Sequence, residues 1–279
     1  MKKSKGKKIE HWTPLGIFGL FCTILITVIA VFPFIYMFLM SFTESRTLKL
    51  HLNEVDFTNL ENFAYIFKNS GFLQAFINSV VVVIASCALN VVISCMAGYG
   101  FEKKLSPGRK FIFQIYMISL MIPGQVTMIP LFVIMKNVGL LNTRTALVIT
   151  MIGAFSVFLV KQFMNGIPDE LIESAQVDGC PEYRIFIQIV MPLLKPVVIT
   201  LIVFTFISAW NDFLWPLIAA TETEKYTLTV ALSVLKTQYS VNYGLIMAGS
   251  LITFIFPFIL YIFLQKQFVQ GIALGGVKG

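Results

Sequence analysis

The stretch Asp169–Pro196, DELIESAQVDGCPEYRIFIQIVMPLLKP, decides how the rest of the chain is read. It is a long interval of dense charge, seven Asp, Glu, Lys and Arg residues in 28, inside a very apolar sequence. Glu170, Glu173, Asp178, Glu182 and Arg184 would each cost a few kcal/mol or more at the centre of a bilayer, so the interval belongs in water or against another protein. Its local pattern predicts two short helices. Asp169 is placed to cap the first turn of ELIESAQV, Gly179 suits a left-handed stop, and Pro181 suits the opening of a second helix. Leu171, Ile172, Ala175 and Val177 give the first helix an apolar side and leave the carboxylates of Glu170, Glu173 and Asp178 free, the pattern of a docking helix.

Outward from this interval the sequence is too apolar for a soluble domain. Of its 279 residues 57% are hydrophobic, and the mean hydropathy is +0.82, against an apolar share of about 45–50% in soluble domains. A helix needs about 20 apolar residues to cross the hydrocarbon layer. Cutting by length predicts an all-α integral membrane protein with six transmembrane helices near 15–42, 75–101, 111–135, 145–164, 197–220 and 244–264. This divides the chain into an N-terminal tail (1–14), a first span (15–42), a core (75–264) carrying the charged loop 165–196, and a C-terminal tail (265–279) expected to be flexible. The run from Leu15 is too long for the core of a cleaved signal peptide and lacks a small-x-small cleavage site. With alternating loops, 14 of the 21 Lys and Arg residues fall on the side of the tails and the charged interval. The positive-inside rule then places both termini and the interval in the cytoplasm. The net charge of +7 follows from this anchoring, Lys2, Lys3, Lys5, Lys7 and Lys8 preceding the first span, and implies membrane lipid rather than nucleic acid.

Two places inside the apolar segments carry polar groups. Pro123-Gly124-Gln125 and Pro130 predict a kinked or unwound third span, whose freed backbone groups need protein or a water-filled cavity around them. Gln125 is therefore either a pathway residue or a bond to a neighbouring helix. Trp210-Asn211-Asp212-Phe213-Leu214-Trp215 joins an amide, a carboxylate and two indoles. Asn211 is 16 residues beyond Lys195, about 24 Å of helix, in the outer third of the membrane. Amides and carboxylates suit sugar hydroxyls, and flat rings suit sugar C–H faces; equally, Trp210 and Trp215 suit an aromatic belt, and Asp212 a helix end. In the first outer loop, LENFAYIF predicts a short surface helix.

Glu173-Ser174-Ala175, then Gly179, then Ile189, Met191 and Pro192 follow the E-A-A, three residues, G, nine residues, I-x-L-P signature of ABC importer permeases, with Ser174 for Ala and Met191 for Leu. MIPGQVTMIPLFVIMKNVGLLNT from Met121, FISAWNDFLWPL from Phe206 and QKQFVQGIALGGVKG from Gln265 extend the resemblance. The chain resembles the shorter permease subunit of maltose-type sugar importers. That resemblance implies the type I importer fold and a cytoplasmic coupling helix that docks on an ATPase through Glu170, Glu173, Ser174, Ala175, Asp178, Gly179 and Pro192. It also implies a second permease subunit, an ATPase dimer and an extracytoplasmic sugar-binding protein as partners, in a bacterial plasma membrane. ATP and magnesium are then expected on the ATPases, with no cofactor on this chain.

The remaining chemistry is thin. Cys22, Cys87, Cys95 and Cys180 form no C-x-x-C pair, and His11 and His51 stand alone, so zinc and disulfide frameworks are excluded. There is no phosphate loop, H-E-x-x-H or G-x-S-x-G. A membrane enzyme would need a nucleophile or an acid–base pair, and an ion-coupled secondary transporter would need inverted repeats and midplane ionisable residues. Asp212 is the only plausible carboxylate within a span. The expected function is that of a non-catalytic permease in ATP-driven carbohydrate uptake.

Overall fold

The computed structural model describes residues 14–69, 71–238 and 242–276, which form helices and no strands. The expected tail 1–14 lies almost wholly outside them. The outer-loop helix expected at LENFAYIF is present as α2 (Glu61–Asn69), after α1 (Pro14–Met40). Its Asn62 amide donates to the carbonyls of Ser41 (3.0 Å) and Thr43 (2.8 Å), tying it to the end of α1.

The central element is α3 (Phe72–Lys103). Its buried face carries Asn78, Ser79, Ser86, Asn90 and Ser94 within an otherwise apolar helix. Such groups need partners away from water. The Asn90 amide donates to Ser156 Oγ (2.9 Å) on α7 (Ala154–Met164) and to Thr205 Oγ1 (2.7 Å) on α11 (Lys195–Asn211), and its carbonyl accepts from Ser94 (2.9 Å). Asn90 thus pins three helices together. Below it, Gly98 lets α3 and α7 approach closely: a Cβ there would lie 2.7 Å from Val160 Cγ1 and 3.1 Å from the Lys161 backbone nitrogen.

Among the described residues, three helices are long and apolar enough to cross a membrane individually: α1, α3 and the Tyr243–Phe263 portion of α14 (Tyr243–Gly276). The predicted third span is broken, as Pro123 and Gly124 suggested. The segments α4 (Arg109–Ser119) and α5 (Gly124–Asn137) meet at 105°, because proline cannot continue the hydrogen-bond ladder and pushes its predecessor out of the helical region. Pro130 lies within α5 without ending it. The predicted fourth span is two pieces, α6 (Arg144–Ile149) and α7. At 11 residues, or about 16 Å, α7 is short of a full crossing. Counting each bent pair as one span, five candidates result. The tail from 265, expected to be flexible, instead continues α14 as far as Gly276. Residues 277–279 lie outside the described set.

The helix α8 (Glu170–Val177) is followed by α9 (Glu182–Arg184), a π-helical segment at Ile185–Val190 and α10 (Met191–Leu193). The run Glu182–Leu193 meets α11 at 76°, with Pro196 in the first turn of α11, where a missing N–H costs nothing. Two further helices, α12 (Leu214–Ala219) and α13 (Leu228–Gln238), complete the order.

Candidate functional site

The predicted stop at Gly179 is present in full. Gly179 has φ +74°, its N–H donates to Gln176 (3.0 Å), and the Cys180 N–H donates to Ala175 (3.0 Å). This is the paired hydrogen-bond pattern of a Schellman end. Pro181, extended at φ −69° and ψ 148°, opens α9 as expected. Asp169 differs from expectation. Its side chain does not cap α8 but pairs with Lys103 Nζ at 2.6 Å. The lysine sits at the C-terminal end of α3, where a cation is favoured, and is almost wholly buried.

Only Ile172 and Ala175 of α8 turn inward, joining a core with Tyr99, Val160, Met164, Ile185 and Leu201. Leu171 and Val177, expected on the apolar side, are exposed, Val177 to 87%. Glu170, Glu173, Ser174, Asp178 and Gly179 are exposed beside them. None of the three carboxylates forms an ion pair among the described residues. One side of α8 is therefore a rigidly held, uncovered surface mixing carboxylates with two large apolar side chains. Pro192 lies apart from it, exposed in α10.

The Trp210–Trp215 cluster spans the junction between α11 and α12. Trp210 is 3% exposed; its indole donates to the Thr253 carbonyl (3.2 Å) and its ring stacks on Phe256 (centroids 4.7 Å apart). Trp215 is 4% exposed and donates to the Ala146 carbonyl (3.1 Å), within a separate core containing Val82, Met135 and Leu147. Both indoles thus pack inside this chain. Asn211 between them is exposed and bonds back to Ile207 (2.9 Å), as a helix-end amide does. Asp212 leaves the helix in an extended conformation and its carbonyl accepts from Thr229 (2.7 Å). Gln125 is exposed in the first turn of α5, a helix with only Met135 buried. No hydrogen bond joins it to the 210–215 cluster among the described residues.

The sequence reading missed two groups. Ser86, Asn90 and Ser94 recur every four residues on one face of an apolar helix, a signal of a polar helix–helix contact. Tyr99, Lys103 and Lys104 lie at the other critical point. Tyr99 Oη donates to Glu182 (2.5 Å), Lys104 pairs with Glu182 (2.5 Å), and Lys103 also donates to the Ile167 carbonyl (2.6 Å).

Residues 90–273 match the family described as binding-protein-dependent transport system inner membrane component. The chain is 38% identical to the arabinooligosaccharide transport system permease protein of Halalkalibacterium halodurans, over 91% of this chain and 93% of that protein. It is 35% identical to the lactose transport system permease protein of Rhizobium radiobacter, over 90% and 92% of the two chains. Its fold is similar to a chain in a bacterial ABC transporter involved in the import of the acidic polysaccharide alginate. There the TM-score is 0.81 at 22% identity, covering 94% of this chain and 99% of that one. Several apolar helices, this fold and these matches agree, and the chain belongs to the family of binding-protein-dependent transport system inner membrane components, as a multi-pass, non-catalytic permease subunit of an ABC importer.

Proposed function

We propose that this chain forms half of the translocation pathway of an ATP-driven carbohydrate importer, paired with a second, different permease. The observation that carries the coupling role is α8, ordered at both ends yet uncovered on its charged side. An ATPase subunit is the partner we assign to the exposed Glu170, Glu173, Ser174, Asp178 and Gly179, with the buried Ala175 seating α8 on the core and Pro192 fixing the following turn. ATP and magnesium act on that ATPase. Carbohydrate as the cargo is supported by the relatives that act on arabinooligosaccharides and lactose.

In this reading six spans cross a bacterial plasma membrane, with the third, fourth and fifth interrupted. The domain boundaries are 1–14, 15–42, 75–264 and 265–279, the coupling loop is 165–196, and both termini are cytoplasmic. The polar contacts of α3 support the assignment of sides. Asn78 bonds the carbonyls of Glu224 and Tyr226 and accepts from Arg144, whereas Tyr99 and Lys103 hold the charged interval. The 21 residues between Asn78 and Tyr99 cover about 32 Å of helix, one hydrocarbon thickness.

The second permease is supported by α4 and α5. Their 105° break frees backbone groups at membrane depth, which lipid cannot satisfy. This chain leaves most of α5 uncovered. A partner permease, with a water-filled path between the two, meets that need. We assign Gln125, Asn211 and Asp212 to the path, with Trp210 and Trp215 holding the break that presents them. The test is a cysteine at 211 or 212, in an assembled importer whose four native cysteines are replaced, treated with a polar thiol reagent from outside. Labelling should rise in the ATP-driven state and fall at rest. No labelling from either side, with unchanged uptake in Asp212→Asn, refutes the pathway assignment.

A further inference from the structure

The charged interval is held by one helix end. Within a short stretch at the end of α3, Tyr99 and Lys104 grip Glu182 on one side of α8, and Lys103 grips Asp169 and the Ile167 carbonyl on the other. The neighbouring Glu102 pairs with Lys161 of α7 at 2.6 Å. Lys104 also lies over the Tyr99 ring, 5.1 Å from its centroid, and that ring packs on Phe186 of the π-helical segment. Isolated surface ion pairs contribute little. Here the Lys103 side chain is buried and its ammonium is held at two points, by the Ile167 carbonyl and by the exposed Asp169 carboxylate. The two grips flank α8 like the two ends of a bracket.

Resting on the reading of 169–196 as the ATPase-docking loop, we propose that Tyr99, Lys103 and Lys104 are positioning residues that lock this loop to α3. A displacement imposed on α8 then turns α3 instead of sliding the loop along it. Through Asn90, which bonds α7 and α11, the rotation passes to three helices as one body. Asp169 and Glu182 are thereby bracket residues, distinct from the ATPase-facing Glu170 and Glu173.

The experiment uses the assembled importer with Cys22, Cys87 and Cys95 replaced. Spin labels sit on the native Cys180 and on Leu73→Cys, both exposed. In the parent protein the 73–180 distance distribution should be narrow and identical without nucleotide and with ATP trapped by vanadate. Lys103→Gln and Glu182→Gln should keep the ATPase bound and hydrolysing. Their distributions should broaden and shift with nucleotide, and ATP-driven labelling at position 211 should fall roughly tenfold, the order of a typical coupling free energy. The exchanged pair Lys104→Glu with Glu182→Lys should restore the narrow distribution. A parent distance that changes with nucleotide, or single variants indistinguishable from the parent, overturns the bracket. So does loss of the ATPase in the single variants, which would make these residues part of the loop's folding only. Undisturbed ATPase binding in Glu173→Lys would instead sink the docking reading, and the distance result would still decide whether loop and helix move together.

Discussion

Gly179 permits a test in which backbone strain and side-chain crowding separate. Its φ is +74°, and a Cβ built there meets nothing within 4 Å. Any penalty for substitution therefore comes from the left-handed backbone, about 1–2 kcal/mol for an L residue and worst for a β-branched one. Asparagine, which visits this region readily, should be tolerated. The expected order of ATPase retention is Gly, then Asn, then Ala, then Val. If the strain is relieved by opening the Schellman end, Cys180 releases the Ala175 carbonyl and the last turn of α8 loosens. At about 1.4 kcal/mol per decade, Gly179→Val should weaken ATPase reassociation roughly tenfold or more. The assay is titration of purified ATPase onto the detergent-solubilised permease pair, read as an apparent Kd. Equal affinities for the parent protein and the Gly179→Val variant would refute the docking role. Asn as damaging as Val would show that the surface is occupied by a partner atom, and that crowding rather than φ governs the site.

Other outcomes are equally specific. Glu173→Lys should reduce uptake while leaving expression and membrane insertion intact, because Glu173 is exposed and pairs with no cation among the described residues; unchanged uptake would argue for a solvated loop. Gly98→Ala should lower the Tm of the purified complex: overpacking typically costs about 1–3 kcal/mol, against a helix-propensity gain of about 1 kcal/mol. A Tm that rises would show that α3 and α7 separate without penalty. Asn90→Ala should destabilise by about 1–3 kcal/mol by stranding buried hydroxyls, whereas Ser86→Ala should be neutral or stabilising, since Ser86 Oγ is buried without a partner among the described residues. Denaturant or thermal unfolding of the two variants side by side distinguishes them, and equal losses would refute the hub.

Much of this was legible because local chemistry decided it. Gly179 needed only its own backbone freedom, Pro181 only its fixed φ, and Pro123 only its missing N–H. Asp169 was misread because its capping role competes with a cation 66 positions earlier, a distance no local pattern reports. The burial of Trp210 and Trp215 depended on Phe256 and Ala146, brought in by other helices. The 76° turn at Leu194 sits between two prolines whose positions allowed either a kink or a smooth helix. The four-residue recurrence of Ser86, Asn90 and Ser94 was visible in the sequence, but its meaning required knowing that α7 and α11 each offer a hydroxyl there.

The right-angled joint between α4 and α5 has a consequence for biogenesis. On the proposed pairing with a second permease, a newly inserted copy that has not met its companion would leave Gln125 and the broken backbone between α4 and α5 facing hydrocarbon, where each unsatisfied group costs several kcal/mol. On that pairing, such an orphan is expected to be a substrate for membrane proteolysis, and turnover would then trim the excess of one permease over the other. Pulse-chase of this chain in cells lacking the companion should show a shortened half-life, and one equal to that in the complete system would contradict it.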